Sequence, residues 1–344
     1  KALEKITVEG EVLDASGQLV TDFTGIVNPT VKDSKVTVTC LKNSNKDDSP
    51  AFTFTDYPNT IFIGNDSVRN GKFSFTFTVP KDISYSNLQG KMNLYAVDTE
   101  SGNEAQGNFD NFIVGGTSDT AETDTIGPEI RALYLNDTTF VDGGQVNTTP
   151  YFVAELWDKS GVNITGSSVG HDMMLVIDES TVLSYNLNSY YELLPGEDGT
   201  GIVKFPIPAL EPGKHTAEFW VWYILNNSTV RTFTFEVVEG LKPFLFDVIA
   251  TPGIAREQVT FHLMHNRPES RMRVGIMVYD LAGRQLWKHE ESGTSGLFEN
   301  YTVSWDLTSG GARMRPGVYI YRAAISTDNS KDATKARKFI ILGE

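Results

Sequence analysis

Apolar residues in this chain recur at every second position over short runs broken by turn residues, and nowhere at three-four spacing over a helical length. A polypeptide patterned in this way buries its apolar face only by pairing strands, so the expected class is all-β. The clearest instance is Lys72-Phe73-Ser74-Phe75-Thr76-Phe77-Thr78-Val79, which places Phe73, Phe75, Phe77 and Val79 on one face. Asn70-Gly71 stands immediately before it, and both residues tolerate the positive φ of a tight type I′ hairpin turn. Similar runs recur at Ile6 to Val12, Met92 to Val97, Tyr151 to Trp157, His215 to Tyr223, Arg273 to Tyr279 and Gly317 to Ile325.

At 344 residues the chain exceeds one ordinary sandwich. The expected organisation is three tandem immunoglobulin-like or FlgD-like β-sandwich domains at 1–116, 126–240 and 241–344. Residues 117–125 contain little apolar material and read as a solvated linker. Charge divides along the same line: residues 1–240 carry 15 basic and 33 acidic side chains, a net of −18, while residues 241–344 carry 14 and 11, a net of +3. So acidic a surface repels polyanions, which excludes nucleic acid and anionic lipid as partners. No apolar run approaches the roughly 20 residues needed for a membrane-spanning helix, so no direct membrane span is expected. Lys1 opens almost directly into a strand pattern with no signal peptide, and the expectation is a fragment or processed piece of a longer protein.

Converging chemistry is hard to find. Cys40 is the single cysteine, so no internal disulfide can form, and its alternation with Val36 and Val38 predicts a buried small residue rather than a reactive thiol. Gly166-Ser167-Ser168-Val169-Gly170 matches the nucleophile pattern of serine hydrolases, but that pattern needs a following helix, and Met173 to Asp178 reads as a strand. Five histidines, at 171, 215, 262, 265 and 289, show no zinc spacing. No catalytic, cofactor-binding or metal residue is therefore assigned, and no cofactor is expected. A structural calcium ion is the exception considered, with Asp119, Asp124, Asp158, Asn163 and Asp172 as candidate ligands. Trp220 and Trp222 in Phe219-Trp220-Val221-Trp222-Tyr223 offer either a central core strand or a surface that stacks on sugar.

The last third carries four motifs in order: Val278-Tyr279-Asp280-Leu281-Ala282-Gly283-Arg284, Val303-Ser304-Trp305-Asp306, Gly310 to Arg322 with Arg315-Pro316-Gly317-Val318-Tyr319 at its centre, and Arg337-Lys338-Phe339-Ile340-Ile341-Leu342. Together they resemble the C-terminal sorting domain of type IX secretion cargo, a sandwich similar to the FlgD immunoglobulin-like fold. Relatives often enter this domain through Pro-Asn-Pro, where this chain has Thr251-Pro252-Gly253. The preceding part is similar to the C-terminal half of PorU-type sortases, which are gingipain-like cysteine peptidases. That likeness rests on Asn70 to Phe75, Val79-Pro80-Lys81-Asp82-Ile83, Asn111 to Gly116, Gly127-Pro128-Glu129-Ile130, Gly170-His171-Asp172 and Asn226-Asn227-Ser228. One departure is Trp222-Tyr223, where such proteins commonly read Trp-Asp before the Asn-Asn turn.

The resemblance implies a parent protein at the bacterial outer-membrane surface whose peptidase domain, upstream and absent from this sequence, removes sorting domains from cargo. This chain would then be its non-catalytic scaffold and docking part, with an outer-membrane β-barrel shuttle protein as partner. The candidate docking residues are Gly317, Val318, Tyr319, Arg322, Lys335, Arg337, Lys338 and Ile340, on the last two predicted strands, where the cations form a positive patch and an exposed edge could accept a strand. The alternative is a glycan-binding or adhesive module of a secreted surface protein.

Overall fold

The computed structural model describes residues 1–344 except 42–50, 120–125, 160, 167–169, 195–198, 328 and 344. Within it the chain is all-β and built of sandwiches; the only helical element is a 3-10 turn at Asn188–Tyr190. No helix among the described residues is long and apolar enough to cross a membrane, a statement that leaves strands aside.

The first segment forms β1 (Lys5–Glu11), β2 (Gly25–Lys32), β3 (Val36–Thr39), β4 (Thr53–Asp56), β5 (Thr60–Ile63), β6 (Asp66–Val68), β7 (Lys72–Thr78), β8 (Leu88–Gln89), β9 (Lys91–Asp98), β10 (Glu104–Phe109) and β11 (Ile113–Val114). Its main sheet runs β10-β9-β2-β5 with β6 also on β2, while β1 and β7 form a separate antiparallel pair. Alternation drives the arrangement. Phe73, Phe75 and Phe77 of β7 are buried and join Val27 and Val31 of β2 and Met92 and Ala96 of β9 in one core. The Asn70-Gly71 turn forms as the sequence predicts, with φ of 51° and 73°. A side chain at Gly71 would come within 2.4 Å of the Val20 carbonyl oxygen, so the position demands glycine twice over.

One expectation fails here. Cys40 is exposed: among the described residues β3 pairs with β4 alone, and this two-stranded hairpin leaves even Val36 and Val38 only half-buried. Ala2 bridges to Thr117, at the start of the expected linker, through its amide donating to the Gly116 carbonyl and its carbonyl accepting from the Ser118 amide, and residues 120–125 of that linker lie outside the described residues.

The middle segment contains β12 (Glu129–Leu135), β13 (Gln145–Val146), β14 (Tyr151–Trp157), β15 (Met174–Ile177), β16 (Ser184–Asn186), β17 (Tyr191–Leu193), β18 (Thr200–Pro206), β19 (Gly213–Trp222) and β20 (Ser228–Val237). They form two sheets, in the orders β12-β14-β18-β17 and β13-β20-β19-β15-β16. Last come β21 (Leu245–Thr251), β22 (Ile254–Ala255), β23 (Val259–His265), β24 (Met272–Tyr279), β25 (Gln285–Gly293), β26 (Tyr301–Trp305), β27 (Thr308–Ser309), β28 (Ala312–Arg313), β29 (Gly317–Ser326) and β30 (Ala333–Ile341). Here the sheets are β21-β23-β26 and β22-β30-β29-β24-β25, closed over a core running from Leu245 to Ile341.

The chain divides into two compact units. One comprises Lys1–Leu133, Val153–Phe205 and Thr216–Phe233; the other comprises Tyr134–Phe152, Pro206–His215 and Thr234–Glu344. With no disulfide available, each is held by packed apolar faces and a few buried polar knots. Phe75 is 4% exposed at the centre of its core, so Phe75→Ala is expected to destabilise the chain by about 3–5 kcal/mol, read from the midpoint of a urea unfolding curve.

Candidate functional site

Two places in the molecule gather the residues singled out by sequence. The first is Asp82, five residues past Phe77 in the stretch that leaves β7. Its carboxylate is 8% exposed and accepts from the Asn226 side-chain amide at 2.9 Å, the Asn163 amide at 3.1 Å and His171 Nδ1 at 2.7 Å. A carboxylate only accepts, so the proton of the imidazole lies on Nδ1 in this contact. The His171 ring in turn lies 4.5 Å from the Trp222 ring. Next door the Lys81 amide donates to the Ile224 carbonyl at 2.9 Å. Three sequence signals that looked independent, around Asp82, His171 and Asn226, are thus one polar knot inside the first unit. Burial of a carboxylate is tolerated because its oxygens are supplied with donors from three separate stretches of chain.

The second place is the β29-β30 pair, in the second unit. Register sets Val318 opposite Ile340, Ile320 opposite Lys338, and Tyr321 opposite Arg337. Tyr319 and Phe339 turn inward to the core, while Val318, Arg322, Lys338 and Ile340 are exposed. The cations do not act as one patch. Arg337 makes a forked contact to Asp247 at 2.9–3.1 Å, and Lys335 Nζ bonds the Phe246 carbonyl, so both close the seam toward β21. Hydrogen bonding from Arg337 holds the Asp247 carboxyl below its ordinary range. Of the three, Lys338 alone lacks such an internal bond. At the end of the edge, β22 has already added itself in parallel: the Ile340 and Leu342 amides donate to the Gly253 and Ala255 carbonyls at 3.0 and 2.9 Å. A Cβ on Gly317 would meet only the Tyr319 ring, at ordinary contact distance.

Elsewhere the candidates disperse. Ser168 and Asp124 lie outside the described residues. Asp172 binds the Asn188 amide at 2.7 Å, Asp158 accepts the Gly161 amide at 3.1 Å, and Asn163 is committed to Asp82. Among the described residues no three His, Cys, Asp or Glu side chains converge. Trp220 and Trp222 are half-buried on one face of β19, with the Trp220 indole donating to Glu218 at 3.3 Å.

One hydroxyl does meet an imidazole: His265 Nε2 lies 2.8 Å from Ser295 Oγ. The Arg267 amide donates to Nδ1 of the same ring at 3.1 Å, so Nδ1 is the acceptor and Nε2 carries the proton. The ring therefore donates to the serine and cannot take its proton as a base would. Burial, reinforced by the Arg267 charge, pushes the His265 pKa down to about 4. Arg267 itself is fully buried and caps the carbonyls of Leu241, Lys242 and Asn266, a knot that sequence reading missed. Nothing local marks it, since an arginine after a strand looks like any surface cation.

The crystal structure of dimeric latent PorU from Porphyromonas gingivalis is similar to this chain at 37% identity over 100% of its length, with a TM-score of 0.41. The chain is PorU-related along its whole length. It spans about a third, 32%, of that PorU chain. The Ig1-2 module of the Drosophila receptor protein tyrosine phosphatase DLAR is 10% identical over 63% of this chain and 98% of its own, with a TM-score of 0.25. Chicken CNTN1 FN1-FN3 domains are 7% identical over 97% of both chains, at 0.22. No family model matches the chain, and no curated protein does.

Two outcomes follow from this geometry. Asp82→Ala strands three donors at once and is expected to cost on the order of 3 kcal/mol in urea unfolding, more than Asn163→Ala. For His265, the unfolded ring takes up a proton near 6.5 and the folded ring only near 4. The stability it lends is complete above pH 6.5 and drains away as pH falls toward 4. His265→Gln should flatten that part of the stability–pH profile while leaving the profile above pH 6.5 parallel to the parent's.

Proposed function

We propose that this chain is the non-catalytic scaffold and docking portion of a type IX secretion sortase displayed at the outer-membrane surface. The observation that carries the reading is the 37% identity to PorU across the entire chain, together with the chain spanning 32% of that protein. The four C-terminal motifs that resemble a type IX sorting domain support the same reading. In it, the parent protein's cysteine peptidase domain lies upstream and removes sorting signals from cargo, and this chain supplies the rigid β-sandwich support and a surface for an outer-membrane β-barrel shuttle protein. The dispersal of reactive groups described above suits a supporting role. No nucleic acid, cofactor or metal enters the mechanism.

The docking surface is the outward face of β29 and β30, formed by Val318, Arg322, Lys338 and Ile340. Tyr319 serves the core beneath it, and Lys335 and Arg337 brace the strand against β21. This division changes the useful experiment. Removing residues 335–344 would strip Phe339 and Ile341 from the core and unfold the domain. Surface substitutions avoid that. The double variant Val318→Glu with Ile340→Glu is expected to keep the parent's melting temperature within a few degrees and to lower copurification with the β-barrel partner about tenfold, a loss of ~1.4 kcal/mol, as carboxylates replace apolar side chains at the contact. Unchanged copurification of the folded variant would refute docking through this face. The glycan-binding alternative has weaker support, because Trp222 is engaged by His171 and Trp220 by Glu218.

A further inference from the structure

The first unit contains a cavity of about 640 Å³ whose wall includes consecutive residues of two strands, Ile61 to Ile63 of β5 and Phe75 to Thr78 of β7. Consecutive residues line a cavity only when it runs along a strand's backbone edge, since side chains alone would contribute every second one. Among the described residues both strands are at edges: β5 ends its sheet, and β7 has β1 as its single partner strand.

Register shows which backbone groups face the cavity. The Val12 amide donates to the Gly71 carbonyl and the Val79 amide to the Glu4 carbonyl, at 2.7 and 2.9 Å, so the odd-numbered residues of this strand turn their polar groups toward β1. The even-numbered ones turn away. Lys72, the first of them, exchanges both its backbone bonds with Arg69. For Ser74, Thr76 and Thr78 no described residue takes up that edge. Below it, Phe62 and Phe77 stack with ring centroids 4.7 Å apart, and Phe62 is only half-buried. The lining also holds Ile164, Leu193 and Leu225, with Lys5, Asp66, Asp158 and Lys159 as its charged members.

We infer that this cavity receives an extended strand from a separate polypeptide, which pairs with the free edge of β7 and lays apolar side chains on Phe62 and Phe77. Unpaired amides and carbonyls repeating at every second residue, about 6.8 Å apart, match the spacing of another strand and of no small molecule or acyl chain. The apolar part of the lining, Ile61, Phe62, Ile164, Leu193 and Leu225, calls for apolar residues on one face of that strand, and the polar part suits a polar opposite face. The net charge of −18 on residues 1–240 favours a strand flanked by cations. The contact is separate from the β29-β30 face, and it completes the β1-β7 pair as a three-stranded sheet.

The test uses the full chain and a fluorescein-labelled peptide, Lys-Val-Thr-Val-Thr-Val-Lys, followed by fluorescence anisotropy. Saturable binding is expected, with no saturable binding of the peptide in which prolines replace the threonines. Thr76→Pro removes the outward N–H and the hydroxyl contact to Thr7 at 2.9 Å but no backbone bond of the β1 ladder, and should weaken binding about tenfold or more. A protein-independent control guards against misfolding of that variant: peptides N-methylated on alternate residues should differ, one set losing binding and the other keeping it. The Val318→Glu, Ile340→Glu variant should bind the peptide as the parent does, which separates this contact from docking through β29 and β30. Absence of saturable binding to the parent chain, or equal binding of both methylated sets, would overturn the inference.

Discussion

Burial of one face per strand is the constraint on which everything else in this molecule rests. A chain with one cysteine, itself exposed, has no covalent staple. Its order comes from strands such as β7, where three phenylalanines share a face, and β29, where Tyr319, Tyr321, Ala323 and Ile325 do the same. A fully buried Phe or Ile on such a face is worth roughly 1.5–3 kcal/mol by transfer alone, which has to offset the ordering of the backbone around it. Where a strand pairs in a two-stranded hairpin among the described residues, as in β3-β4, the same alternating pattern leaves its apolar face only half-buried.

The charged groups that tie these interiors together are each met by several donors or acceptors. Asp82 gathers three side-chain donors, and Arg267 gathers backbone carbonyls from the connection before β21. Both are knots that tie sequence-distant stretches together, and both would be costly to half-dismantle. The Ser295-His265 contact belongs to the same structural class. Its proton direction, set by the Arg267 amide, makes the imidazole a donor.

Edges distinguish the two faces on which recognition is proposed. At β30 the seam is braced by inward-turned cations and its end is occupied by β22, devices that keep an edge strand from pairing at random. A partner there meets side chains on the sheet's outer face. At β7 no described residue pairs with the outer edge and core aromatics line the same groove, so a partner meets backbone. Specificity in the first case comes from side-chain complementarity, in the second from strand register and alternation.

The strand class, the Asn70-Gly71 turn, the buried phenylalanine row and the motifs of the last third were all legible in the sequence, because alternation and turn chemistry act between residues a few positions apart. Asp82, His171 and Asn226 could be named but not joined, as residues 89 and 144 positions from Asp82 meet it only after two sheets have formed. The same holds for Lys335 and Arg337: their charge was plain, while their direction depends on where β21 lies across the seam. Cys40 shows the limit most simply. Period two says which residues share a face, and only tertiary packing decides whether anything covers it.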